Sequence, residues 1–186
     1  MAILAIRLYP DPVLRTPGRP VSRFDADLDK LVADMIETMH AAPGVGLAAP
    51  QVGVSTRLAV VDVSVGKEAE QLYVLINPEL VEKAGTEVDV EGCLSLPGIS
   101  DKVDRPVRIR VQALDRQGKP FELAAEGFLA RAICHEIDHL NGILFTDHLR
   151  GLRKERVKRQ LKRLASGTGG DRAEPTEPTE PTEVSI

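Results

Sequence analysis

The chain has 186 residues, of which 42% are hydrophobic and 3% aromatic, and its formal net charge is −4. These values predict one domain with a core of Val, Leu, Ile and Ala, and they exclude a generally basic nucleic-acid binder. No apolar run reaches the roughly 18 residues of a transmembrane helix, and the first ten residues lack the pattern of an export signal. We therefore expect a cytoplasmic protein without a membrane span, in which Cys93 and Cys134 are reduced thiols.

The first predicted element is an amphipathic helix. Apolar residues recur at helical spacing from Leu28 to Met39, and Asp25 is placed to cap the N-terminus. His40 closes the helix, at the end where a histidine suits the helix dipole. The segment 43–51 that follows is rich in glycine and alanine, so its backbone can turn tightly or approach a ligand closely.

A series of strands follows. Strands are predicted over 57–65, 71–76, 80–83, 107–114 and 120–123, with turns at 77–78 and 115–118. Their connections are short and helices are not interleaved with them, which favours an α+β fold. We expect antiparallel sheets packed around a central helix, followed by a C-terminal helix.

The central helix carries the motif His135-Glu136-Ile137-Asp138-His139. Histidines at i and i+4 leave the same face of a helix, so the two imidazoles can bind one transition metal. Glu136 lies about 100° around the helix from His135, beside the metal, where a carboxylate can accept a proton from water. Asn141 and Gly142 end the helix. The alternative is two structural histidines on an ordinary buried helix.

The motif does not by itself fix the third ligand. The continuation HExxHxxGxxH fails because Phe145 occupies the last position, and Glu155 lies in a basic, solvent-facing run. Cys93, after Gly92, can complete a set of one thiolate and two imidazoles with an open coordination position, although a small buried cysteine is the alternative. Such a set accepts iron, zinc, nickel or cobalt.

Two other classes of protein share parts of this pattern. A zincin-type metallopeptidase has the HExxH motif but draws its third ligand from elsewhere. A structural metal module would need a fourth protein ligand, for which Cys134, His40 and His148 are the spare candidates. None of the three has convincing spacing.

Three motifs in order resemble those of the peptide deformylases, a family with GxGLAAxQ, EGCxS and HExDH. The corresponding segments here are 44–51, 91–95 and 135–139. The absence of long insertions is similar to the bacterial type. The resemblance implies an enzyme that removes the N-formyl group from the initiator methionine of nascent polypeptides. It also implies one divalent metal, usually Fe²⁺, held by Cys93, His135 and His139.

The resemblance further implies roles for other residues. Glu136 is the expected general base and acid, and the Gln51 side chain and the Leu94 backbone N–H are the expected oxyanion donors. Substrate-bordering positions in the family correspond to Val45, Gly46, Glu91, Leu94 and Arg131. Arg131 stands where close relatives often have Ile, which predicts a more polar edge of the methionine pocket.

The C-terminal part divides into two segments of opposite charge. Residues 150–164 form a basic stretch with leucines at helical spacing, including Leu152, and the family resemblance makes docking on the ribosome a reasonable expectation beside that of a solvated helix. Residues 166–186 contain three Glu-Pro-Thr repeats and predict a disordered acidic tail. We expect a catalytic domain over 1–165 and this tail over 166–186.

Overall fold

The computed structural model describes residues 2–42 and 44–166. The predicted tail, apart from Ser166, and Pro43 lie outside these residues. The helices are α1 (Ala26–Ala41), α2 (Gly127–Leu140) and α3 (Gly151–Ala165). The strands are β1 (Gly46–Ala48), β2 (Leu58–Asp62), β3 (Leu72–Ala84), β4 (Glu87–Glu91), β5 (Asp101–Arg105), β6 (Arg108–Leu114) and β7 (Pro120–Glu126).

Helix α1 forms where the hydrophobic spacing predicts it. The Asp25 carboxylate caps the helix by accepting the Leu28 N–H at 3.2 Å, which satisfies one of the free donors of the first turn. The apolar face of α1 packs on β1 and β2 through buried side chains that include Val32, Met35 and Met39. This packing fixes the C-terminal end of α1 against the sheet, and the chain continues from that end into β1.

A five-stranded antiparallel sheet forms the frame, in the order β1-β2-β3-β6-β7. The predicted turn at Asn77–Pro78 is wrong, because β3 runs through both residues and its register with β6 shifts between Ile76 and Glu79. Asn77 adopts a φ of 51°, which asparagine tolerates. Its side chain also bonds both backbone groups of Val21, at 2.8 and 2.9 Å. The strand therefore absorbs the irregularity as a bulge.

A second sheet, the ribbon of β4 and β5, was not among the predicted strands. Strand β4 alternates between charged and apolar residues, and that period of two is a signal that would have indicated it. Strand β5 has four charged residues out of five and carries no such signal. In this ribbon Glu91 pairs with Asp101 and Glu87 with Arg105. The ribbon carries Glu91 and Arg105 to the side of α2.

Helix α2 lies at the centre, so the predicted α+β fold with antiparallel sheets around a central helix is confirmed. Ala130, Ile133, Cys134 and Ile137 are buried in one core cluster with residues of β2, β3, β6 and β7. Cys134 therefore packs in the core. A helix that is buried on most sides holds its polar side chains in fixed positions.

Helix α3 packs on the body through Val157 and Leu161, which are buried in a separate cluster with Leu149. The prediction that Leu152 shares this apolar side is wrong, since its side chain is 90% exposed. Five residues separate Leu152 from Val157, which places the two about 140° apart around the helix. No helix within the described ranges is long and apolar enough to cross a membrane.

Candidate metal centre

Cys93, His135 and His139 come together in the interior, although Cys93 is 42 residues from His135 in the chain. One ligand atom from each of the three lies within 4.8 Å of the others, and all three residues are at most 5% exposed. The Cys93 Sγ is 3.2 Å from the His139 Nε2. These spacings suit donors that share one ion at about 2.0–2.3 Å.

The protonation chemistry of the cluster also fits a cation. Burial lowers the pKa of His139 well below its usual range, which keeps the imidazole in the neutral form that binds metals. Burial raises the pKa of Cys93 to about 12, so a thiolate exists there at neutral pH only beside a positive charge. The His135 Nε2 has no hydrogen-bond partner among the described residues. An ion at this position satisfies both the thiolate and the nitrogen.

Glu91 fixes the orientation of the His135 ring through a contact with its Nδ1. The carboxylate of Glu91 is fully buried and its Oε2 is 3.1 Å from the His135 Nδ1. Arg105 binds the same carboxylate through two hydrogen bonds of 2.8 and 2.9 Å. Burial raises the pKa of Glu91, but the bonds with His135 and Arg105 outweigh it and hold this pKa well below its usual range. An ionised partner on Nδ1 leaves Nε2 free for the metal.

Sequence reasoning missed Arg105 and its second partner. Its Nη1 donates to Asp138 at 2.6 Å, and Asp138 also lies 2.6 Å from the His148 Nε2. Asp138 is the fourth residue of the HExDH segment, and the sequence shows its neighbours in that motif. The sequence does not show its basic partners, which lie on β5 and just before α3. Only the fold brings these charges together.

Arg131 and Glu91 take positions that differ from the expected contact with substrate. The Arg131 guanidinium is 3% exposed and donates to Glu91 at 2.8 Å and to the carbonyls of Val103 and Glu87 at 3.0 Å each. Its donors are turned into the ribbon, and it is not among the residues that line the cleft. The guanidinium of Arg131 therefore bonds within the protein, and its place at the edge of the methionine pocket stays a prediction.

Glu136 lies beside the three ligand candidates with no exposed surface. Neither of its carboxylate oxygens has a hydrogen-bond partner among the described residues, and burial, reinforced by the charge of Glu91, raises its pKa well above the usual value. Gly46 on β1 makes this position available, because a Cβ at Gly46 would meet the Glu136 Oε1 at 2.3 Å. A buried, high-pKa carboxyl next to a metal site is suited to proton transfer.

Gln51 and Leu94 lie next to Cys93 in the cluster. The Gln51 Oε1 accepts the Ala48 N–H at 2.8 Å, which turns the amide nitrogen towards Cys93 Sγ at 3.6 Å and Ser95 Oγ at 3.3 Å. The backbone N–H of Leu94, directly after Cys93, has no acceptor within the described part of the chain. Within the described residues the Leu94 N–H is thus a free donor beside Cys93, whereas the Gln51 amide already donates to Cys93 Sγ and Ser95 Oγ.

An open cleft of about 620 Å³ leads to Cys93 and Leu94. It is bordered by Asp89 and Val90 of the ribbon and by Phe128 of α2. Strand β1, an edge strand of the large sheet, lies next to Glu136, because Gly46 faces that carboxylate. Val45, just before β1, is buried and its carbonyl accepts the Asp62 N–H at 2.8 Å.

The spare candidates for a fourth ligand lie elsewhere. His40 pairs with Asp62 at 2.8 Å, His148 pairs with Asp138, and Cys134 packs in the core. Glu155 is exposed on α3. Among the described residues the cluster therefore has three candidate ligands, which corresponds to a catalytic site with an open position.

Comparison with known proteins decides the family. The family model described as polypeptide deformylase matches residues 3–155. The chain belongs to the polypeptide deformylase family. A peptide deformylase of Chromobacterium violaceum is 52% identical over 163 residues, covering 88% of this chain and 96% of that protein. One of Alkaliphilus metalliredigens is 54% identical over 149 residues, covering 80% and 98%.

Solved structures of the deformylase family agree with this fold. The crystal structure of a peptide deformylase from Legionella pneumophila is 47% identical with a TM-score of 0.82, covering 90% of this chain and 98% of that one. The enzyme from Thermus thermophilus is 44% identical with a TM-score of 0.82, covering 89% and 99%. As a family member the chain is a metal-dependent hydrolase that removes the N-formyl group from the initiator methionine of nascent polypeptides, releasing formate. The zincin-type alternative is not favoured.

Proposed function

We propose that deformylation takes place at the buried cluster, with Cys93, His135 and His139 holding one divalent metal ion. The three convergent donors and the unpartnered His135 Nε2 are the observations that support this site. When bound, the metal supplies a Lewis acid that polarises water and the formyl carbonyl. We propose Fe²⁺ as the native ion, with Zn²⁺, Ni²⁺ and Co²⁺ as alternatives that the same donors accept.

In this proposal Glu136 moves the proton. Its carboxylate accepts a proton from the attacking water and then donates it to the leaving amine. The unpartnered oxygens and the raised pKa of this group support the role. Gly46 keeps the space that the carboxylate needs, since any side chain at that position would displace it.

Gln51 and Leu94 stabilise the charge that develops on the formyl oxygen. The Gln51 amide and the Leu94 N–H offer donors next to Cys93, and the Ala48 N–H holds the amide in that orientation. Removing one such donor costs about 3 kcal/mol of transition-state stabilisation in well-studied oxyanion holes. The formyl group is the smallest acyl group, so a closely bounded site favours it over acetyl.

The peptide part of the substrate extends along β1. An edge strand offers unpaired backbone groups, to which an extended peptide can add as a further strand. We assign Val45 and Gly46 to this contact and the apolar side of the cleft, with Phe128 and Val90, to the methionine side chain. Glu91 and Arg131 act indirectly in this proposal. Glu91 holds the His135 ring, and Arg131 holds Glu91 and the ribbon.

Residues 1–165 form the catalytic domain in this account. Cytoplasmic action is supported by the free state of both cysteines. Helix α3 presents a dense row of exposed cations, and we propose that it docks on ribosomal RNA near the emerging chain. Ribosome pelleting at rising salt tests this, because such binding should weaken steeply.

The assay of formate release tests the proposed site. Anaerobically purified protein should release formate from formyl-Met-Ala-Ser, and the free peptide Met-Ala-Ser should remain intact. Cleavage inside an unformylated peptide would instead indicate an endopeptidase. Metal content measured on the same preparation identifies the ion.

A further inference from the structure

The exposed surface of α3 and its N-cap carries more positive charge than the described residues neutralise. Arg156 and Arg153 reach Asp101 on β5 at 2.6 and 3.8 Å. No carboxylate within 2–42 and 44–166 pairs with the other exposed cations of the segment. We name these six residues the basic face: Arg150, Lys154, Lys158, Arg159, Lys162 and Arg163.

The opposite charge lies immediately after this helix. Residues 167–186, here named the acidic tail, contain five carboxylate side chains and one arginine, a net charge of −4. This equals the formal net charge of the whole chain. Residues 1–166 are therefore neutral as a set, and the acidic surplus is confined to the segment adjacent to the basic face.

The spacing and length of the acidic tail suit a return along α3. Its glutamates recur every third residue, at Glu174, Glu177, Glu180 and Glu183. Proline favours an extended backbone of about 3.1 Å per residue, which would align carboxylates about 9 Å apart on one side. At that rise the sixteen residues from Asp171 would span about 50 Å. The 15 residues of α3 span about 22 Å, so the tail is long enough to run back along the whole helix. Three glycines among residues 167–170 allow the chain to reverse.

We propose that the acidic tail binds the basic face of α3 in the same molecule and shields it from other polyanions. Attachment at Ser166 gives the tail an effective concentration on the order of millimolar, which favours contact within the molecule over contact between molecules. Individual exposed ion pairs are weak, so the tail is readily displaced by a stronger polyanion and by salt. The proposal does not depend on deformylation or on which polyanion the basic face meets.

Zero-length cross-linking with a carbodiimide tests the contact in the full chain. At low salt we expect cross-links in the monomer between Glu174–Glu183 and Lys154, Lys158 or Lys162, identified by peptide mapping and absent at high salt. Cross-links of the tail only to lysines elsewhere, such as Lys30 or Lys119, would overturn the proposal. Cross-links found only in a dimer would also overturn it, because the partner would then be a second copy.

A binding measurement tests the shielding. The tail variant E174Q/E177Q/E180Q/E183Q should bind a fluorescent duplex RNA about five-fold more tightly than the wild type at low salt, and the difference should vanish as salt screens the charges. Equal affinities at low salt would contradict the proposal. Both chains should deformylate a short formyl peptide at the same rate, which shows that the fold is intact.

A matched variant separates shielding from overall charge. The control D27N/E79Q/D104N/E126Q also removes four negative charges, but from exposed positions outside the tail. If the tail acts by contact, this control should raise RNA affinity much less than the tail variant. An equal gain in both variants would mean that net charge alone is responsible, and the proposed contact would be wrong.

Discussion

Helices α2 and α3 have nearly equal lengths, 14 and 15 residues, and both carry titratable residues at helical spacing. In α2 these residues are buried except for the partly exposed Asp138, and Arg131 and His135 each have a partner in Glu91. In α3 most of them face solvent. Buried charges are held in one arrangement by their partners, whereas solvated charges act together as a field. The same periodicity thus yields a buried cluster of titratable residues in one helix and an exposed, positively charged surface in the other.

The largest expected effect is the loss of the metal from the α2 side of this comparison. Cys93→Ala removes the thiolate, and we expect metal content by elemental analysis to fall to about a tenth of the wild-type value or less, together with turnover. Cys134→Ala is the matched control, because its thiol lies in the core, and it should retain the metal. Full metal content in Cys93→Ala would remove that residue from the ligand set.

Replacement of Glu136 should separate chemistry from metal binding. Glu136→Ala deletes the proposed proton carrier, and we expect turnover to fall by a factor on the order of 10²–10⁴ at unchanged metal content. The comparison residue on α3 is the exposed Glu155, whose change to Ala should leave formate release unaltered. Wild-type turnover in Glu136→Ala would make the assignment of the base wrong.

The buried ion pairs of Glu91, which contacts His135, should contribute more to the free energy of unfolding than the exposed charges of α3. Arg131→Met leaves Glu91 with one donor fewer and removes the bonds from Arg131 to the carbonyls of Val103 and Glu87, so we expect the free energy of unfolding to fall by about 3 kcal/mol. Urea denaturation measures this. Arg159→Met, on the solvent side of α3, should not change the midpoint measurably. Equal losses in the two variants would remove the distinction between the helices.

The smallest effect on the fold is expected from α3. Lys158→Gln and Lys162→Gln should leave the midpoint of unfolding and the rate on a short formyl peptide unchanged. Each should weaken the salt dependence of ribosome binding, and the logarithmic slope should decrease by about 1 for each phosphate that the variant no longer neutralises. An unchanged slope in the double variant would argue against docking through this helix.

The local features of the fold could be predicted from the sequence. The spacing of Leu28 to Met39 and the cap at Asp25 indicated α1, and the HExDH segment indicated a central helix with two imidazoles on one side. Both depend on residues close in sequence, where helix geometry alone relates the side chains. The family followed from three motifs in order.

The features that depend on distant partners were out of reach. The interaction of Arg105 with Glu91 and Asp138 joins β5, β4 and α2, and no local pattern encodes such a convergence. The guanidinium of Arg131 was expected at the pocket edge, but the partner that fixes its direction is Glu91. The turn predicted at Asn77–Pro78 failed because asparagine could take a left-handed conformation within a continuous strand.

Reconstitution with metal tests the central claim most directly. Chelator-treated protein, titrated with Fe²⁺ under anaerobic conditions, should gain formate release from formyl-Met-Ala-Ser in proportion to added metal and reach a plateau at one ion per chain. Cys93→Ala, titrated in parallel, should remain inactive over the same range. Activity that persists without metal, or a plateau that Cys93→Ala reaches equally well, would contradict a catalytic site built on Cys93, His135 and His139.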